Sequence, residues 1–144
     1  MTDRQGLPLA MSEPISGNHN DLYDIEVHFE EVTATLEEAT ISLDGLFLNA
    51  DAGFDAGILR TQCESKGIIA NIAQNKRSSE TERDDYFDEE LYEKRYTIER
   101  TNAWMDSFRS LLNRFDTTVT SWKGFNYLAF IAIALKKFYK KKFK

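Results

Sequence analysis

The chain has 144 residues, a 42% hydrophobic fraction and a net charge of −6, which is one domain's worth of chain with enough apolar residues for a core. Its single cysteine, Cys63, excludes a disulfide framework or a cysteine-based zinc site and suits a reducing cytoplasm. The first ten residues hold an acid and no apolar centre, unlike a signal peptide, and the longest apolar run (127–135) is too short to span a bilayer, so a soluble cytoplasmic protein with no membrane partner is expected.

In chain order, residues 7–11 read as a short strand, preceded by the turn pair Gln5-Gly6 and ended near Pro14. Asn18 to Asp21 is a run of helix-capping residues. Behind it Leu22, Ile25, Phe29, Val32 and Leu36 recur every three or four residues, predicting an amphipathic helix to about Glu38. Residues 46–50 predict a strand buried on both faces, followed by an Asp51-Ala52-Gly53 turn. A helix over 56–65, closed by Gly67, and a second buried strand over 68–72 complete a strand–helix–strand unit, which implies a parallel crossover. Residues 75–85 are polar and read as a loop. One long helix is predicted over 88–113, with Trp104, Met105, Phe108, Leu111 and Leu112 on its core side. A last apolar helix runs from Asn126 to about Tyr139 and ends in a basic Lys/aromatic tail over 136–144.

Charge is divided along the chain. Residues 1–75 hold 3 basic and 13 acidic side chains, whereas residues 94–144 hold 12 basic and 3 acidic. The acidic total argues against nucleic acid, but a local basic face governs phosphate affinity, so any DNA contact would fall to the C-terminal third.

The segment YEKRYTIERTNAWMDSFRSLL (92–112) carries the chemistry. On a continuous helix Tyr92, Arg95, Glu99 and Asp106 fall on one side within roughly 60°. A carboxylate between Arg95 and Arg100 suits work on a polyanion, because the planar guanidinium binds oxyanions bidentately. On the residues alone, Glu99 equally suits a surface ion pair with Arg95. Asp51, at the carboxyl end of a strand, suits a hard divalent cation or an Asx turn and helix cap. His19 and His28 lack metal-ligand spacing.

Three stretches resemble the DDE transposases of bacterial insertion sequences (insertion-sequence-five-like and -four-like): the Tyr-x-x-Arg-x-x-x-Glu run with the following Arg-Thr-Asn-Ala-Trp, GLFLNADAGFD (45–55), and residues 3–25. The resemblance implies an α/β domain over 1–135, with an RNase H-like mixed sheet flanked by helices. It implies Asp51 and Glu99 as catalytic carboxylates and ligands of Mg²⁺ (or Mn²⁺). Tyr92, Arg95, Arg100 and Arg109 would be DNA-binding residues, acting on transposon terminal inverted repeats and target DNA. The first catalytic Asp of that family lies upstream of the part resembling residues 3–25, and Asp3 is a poor stand-in. The fold is therefore expected to be incomplete, with its first strand missing. Such a chain would be catalytically inert alone and prone to pair with itself or a complementary transposase chain. Asp106 stands where many relatives carry a DNA-contacting Lys. The alternative function is a non-catalytic DNA- or transposase-binding module acting as an inhibitor, or a decayed remnant.

Overall fold

The computed structural model describes residues 1–20, 22–75, 86–113 and 116–142, the last three of these by backbone alone. The polar stretch 76–85 and the last two residues, on which part of the loop and tail expectations fall, lie outside the described residues. The chain forms two compact units, Met11–Arg95 and Met1–Ala10 with Tyr96–Lys144. The architecture is mixed α/β and mostly helical, with a two-stranded parallel sheet among the described residues.

In the Met11–Arg95 unit, helix α1 (Ile25–Glu38) buries Phe29, Val32, Thr33 and Leu36. Three of the five residues of the predicted stripe are thus buried, with one polar residue; Ile25 is half-buried, and Leu22 is half-buried and precedes the helix. Thr33 is tolerated there because its hydroxyl donates to the Phe29 carbonyl at 2.9 Å. The helix starts later than the capping run suggested. Asn20 Oδ1 accepts from the Leu22 amide instead, and Asp24 turns into the helix at φ 46°.

Strands β1 (Phe47–Ala50) and β2 (Ile69–Ile72) pair in parallel, with Phe47 opposite Ile69 and Ala50 opposite Ile72. The crossover between them is helix α2 (Gly57–Ser65), which buries Leu59 and Cys63. The parallel pairing matches the sequence reading, but the burial of β1 does not. Phe47 is 48% exposed and the rest of that strand is half-buried, whereas β2 buries Asn71 and Ile72. Leu43, Ile68 and Ile72 join the residues of α1 and α2 in this unit's core.

Both helices end in a Schellman motif. After α2, the Gly67 amide donates to Glu64 O and the Ile68 amide to Cys63 O; after α1, Thr40 and Ile41 do the same to Glu37 O and Leu36 O. Gly67 sits at φ 70°, and a Cβ there would meet the Asp44 carboxylate and come 3.2 Å from Asp44 Cα. We expect Gly67→Ala to cost roughly 1–2 kcal/mol in urea unfolding. A neutral result would show that the loop carrying Asp44 yields freely.

In the other unit the expected strand 7–11 is absent. An isolated antiparallel bridge, Thr2 to Pro8, stands in its place. Asp3 Oδ1 accepts from the Gln5 and Leu7 amides and bends the chain tightly, and Pro8 has no N–H to donate to a ladder. Gly6, at φ 78°, lies so close to helix α4 (Thr97–Asp106) that a Cβ would come 2.7 Å from Thr97 O. Its carbonyl accepts from the buried Thr101 hydroxyl at 2.5 Å.

The single helix expected over 88–113 is three. Helix α3 (Glu89–Glu93) gives way to a 3₁₀ turn at Lys94–Tyr96, then α4, then α5 (Arg109–Leu112). Tyr96, Thr97 and Ile98 are weak helix formers. Ser107 Oγ donates to Trp104 O at 2.6 Å, competing for a helical carbonyl where α4 ends. The expected core side also changes: Trp104, Met105, Phe108 and Leu111 are half-buried, and Leu112 is exposed.

Helix α6 (Val119–Lys142) is longer than expected at both ends, with Asn126, Ala129 and Ile133 buried. No helix among the described residues is long and apolar enough to cross a membrane.

Candidate functional site

Asp51 follows the last residue of β1 and is exposed. Its Oδ1 accepts from the Gly53 amide at 2.9 Å, starting a 3₁₀ turn at Ala52–Phe54. This is the Asx turn that the residues alone allowed.

The neighbouring acid, Asp55, is committed elsewhere. Its side chain is 2% exposed and pairs with Arg60, with Nε and Nη2 each 3.0 Å from Oδ1, while Oδ2 accepts from the Asn75 amide at 2.8 Å. Arg60 Nη2 also donates to Ile72 O at the end of β2. The pair therefore ties the loop after β1, helix α2 and the end of β2 together, and leaves Asp51 as the exposed acid of that loop.

A second anchor fixes the entry to α3. Asn71 is fully buried; its Nδ2 donates to Asn49 Oδ1 and Asp88 O, and its Oδ1 accepts from the Asp88 amide at 2.7 Å. Asn49 Nδ2 donates to Leu91 O, and Asp88 caps α3 by accepting from the Leu91 amide. Sequence reasoning passed over Asn49, Asp55, Arg60 and Asn71. The available signal was two asparagines at equivalent places in otherwise apolar strands, Leu48-Asn49-Ala50 and Ala70-Asn71-Ile72.

Following this anchor, Tyr92 and Arg95 are half-buried and in contact, with the guanidinium 4.9 Å from the ring centroid. Phe87 is a tilted ring partner of Tyr92, with centroids 5.2 Å apart. The three-residue spacing read from the sequence thus yields a real pair. These two residues belong to the Met11–Arg95 unit.

Glu99, Arg100, Asp106 and Arg109 belong to the other unit, and all four are exposed. Glu99 stands in the first turn of α4, where a negative charge opposes the positive end of the helix dipole. The 3₁₀ turn at Lys94–Tyr96 interrupts the 100° step, so the one-face argument for Tyr92, Arg95, Glu99 and Asp106 lapses. Only Glu99 and Asp106 share one helix.

Part of the basic C-terminus is engaged. Lys137 Nζ donates to Gln5 O at 3.0 Å and lies 4.5 Å from the Trp104 ring centroid, and Lys136 lies 5.9 Å from that of Phe108. Elsewhere, His19 stacks on Tyr23 and His28 approaches Glu31 at 3.6 Å.

Among the described residues no three His, Cys, Asp or Glu side chains gather to hold a metal ion. A hard divalent cation takes about six oxygens. Asp51 and Glu99 lie in different units, and neither unit supplies such a set. The described residues of either unit alone therefore do not fit a resident Mg²⁺, and no chemical step is routed through one.

No curated protein and no solved structure matches the chain. A model of the transposase DDE domain matches residues 2–135, nearly the whole length, and the chain belongs to that family.

Proposed function

We propose that this chain serves insertion-sequence transposition as part of a DDE transposase, binding terminal-repeat and target DNA for strand cleavage and transfer. Family membership carries the transposase-related, DNA-directed function. The observation that best supports a role for Asp51 is its place, an exposed carboxylate just past the end of a parallel strand, beside an Asp55 already consumed by Arg60. Asp51 and Glu99 are the proposed catalytic carboxylates and ligands of Mg²⁺ or Mn²⁺, completed by groups beyond these two. Tyr92, Arg95, Arg100 and Arg109 are the proposed DNA contacts. The proposed fold is a partial RNase H-like one. Residues 1–144 alone, holding two of the family's three carboxylates, should bind DNA without cutting it.

A gel shift with terminal-repeat duplexes, with and without Mn²⁺, tests this reading. Metal should strengthen binding, and Asp51→Asn or Glu99→Gln should abolish the gain while leaving metal-free binding intact. Three arginine–phosphate contacts predict a salt slope of about −2.7 in log K against log salt. Binding indifferent to metal and to both substitutions would overturn the carboxylate roles, and nicking by the pure chain would overturn its inertness. The second reading, a non-catalytic binding module acting as an inhibitor, draws support from the turn that already occupies Asp51 Oδ1.

A further inference from the structure

Helix α6 has two apolar faces, and its own unit uses one. Asn126, Ala129 and Ile133 are buried, whereas Phe125 is 45% exposed and Leu128, Ile131, Leu135, Phe138 and Tyr139 are 54–67% exposed. At 100° per residue the six exposed side chains spread over about 140° of the helix, centred opposite the buried three. That is broader than the two-position seam of a paired helix and suits a flat apolar partner. With on the order of 100 Å² accessible on each, they form a patch of roughly 600 Å², as large as a lone soluble protein ordinarily leaves in water.

We infer that α6 lies on the surface of an anionic lipid bilayer, with this face in the acyl boundary and the lysines that follow it among the headgroup phosphates. Charge carries the choice of partner. Residues 124–135 hold no charged side chain, whereas Lys136, Lys137, Lys140, Lys141 and Lys142 come after Leu135 and no acid follows Asp116. An anionic bilayer offers an apolar layer to the face and phosphates to the lysines. The α6 of a second copy offers an apolar face but only more lysines, and duplex DNA offers phosphates but no apolar layer. Length fixes the mode. Phe125 to Tyr139 covers about 21 Å of helix, short of the ~30 Å hydrocarbon core, so the helix lies along the surface and does not cross it. The expectation of no membrane partner rests on the want of a spanning run, which says nothing of a helix lying flat. The inference is independent of the DNA and carboxylate roles proposed above.

The test is flotation of the purified chain with vesicles of mixed phosphatidylcholine and phosphatidylserine, or of phosphatidylcholine alone, at moderate salt. At about fivefold for each lysine near an anionic leaflet, three such contacts give roughly a hundredfold preference for the charged vesicles. Leu128→Gln with Leu135→Gln should weaken binding by about tenfold or more with helical circular dichroism retained. Orientation is read with a polarity-sensitive dye, Cys63 being buried. On Leu128→Cys the dye should shift to the blue with the charged vesicles, and on Glu37→Cys in α1 it should not. Failure to float would overturn the inference, and a dimer dissolved by the double substitution would then assign the face to a second copy. Equal binding to both vesicles, an undiminished double variant or a blue shift at position 37 would overturn it too, the last by showing adsorption without orientation.

Discussion

Asp55→Ala should lower the stability of the Met11–Arg95 unit by about 3–5 kcal/mol, the cost of leaving one member of a buried ion pair without its partner. Arg60 would keep a guanidinium whose side chain is 12% exposed, with the Ile72 carbonyl still accepting from Nη2 and the Asp55 carboxylate gone. The Asn75 amide would lose its acceptor as well. Domains of this size hold about 5–15 kcal/mol in total, so the variant should be partly unfolded at room temperature or close to it. Urea unfolding measures the loss directly. Removing both charges with apolar residues, Asp55→Leu with Arg60→Met, should recover much of it, because the desolvation cost then vanishes with the attraction. A loss below about 1 kcal/mol for Asp55→Ala would mean that water reaches Arg60 and screens it as at a surface.

That pair also shows where sequence reading stops. Asp51 and Asp55 are both acids in one short loop, and pattern alone does not say which is consumed. The decision is made by Arg60, placed by α2, and by a backbone amide twenty residues on. Local signals were more legible. The stripe of α1 and the glycine closing α2 follow from periodicity and backbone freedom, which neighbouring residues encode. The parallel pairing followed from the strand–helix–strand order. The continuous helix over 88–113 failed because apolar periodicity survived across two breaks it does not register: the 3₁₀ turn at Lys94–Tyr96 and the end of α4, where the Ser107 hydroxyl takes a helical carbonyl. The site residues were chosen by resemblance; Asp51, Glu99, Arg100 and Arg109 are exposed, and Tyr92 and Arg95 are half-buried. The apolar run of α6 was read as one helix with one core face, whereas its period also encodes a second face.

Cys63 should be nearly inert in the folded chain and should make the protein less stable in alkali. The residue lies on α2 and is fully buried, and burial pushes its thiol from 9.0 up to about 11, against the opposing pull of Arg60's charge. Only the thiolate attacks electrophiles, so at pH 8 the native chain presents about a hundredth of the thiolate that the unfolded chain does. Alkylation by iodoacetamide should be slower than in denaturant by at least about that factor. The same shift fixes the sign of a stability change. Between pH 9 and 11 the folded state keeps the proton that the unfolded state releases, so the free energy of unfolding falls as pH rises. The contribution is intact below pH 9, erodes through this window, and above it amounts to a loss of roughly 3 kcal/mol. Lysines and tyrosines titrate in the same range, so the measurement is the difference between wild type and Cys63→Ala across it. That difference should shrink as the pH climbs, because only the wild type loses this term. A difference that stays flat from pH 8 to 11 would mean that the folded thiol ionises as readily as the unfolded one, with Arg60 offsetting the burial.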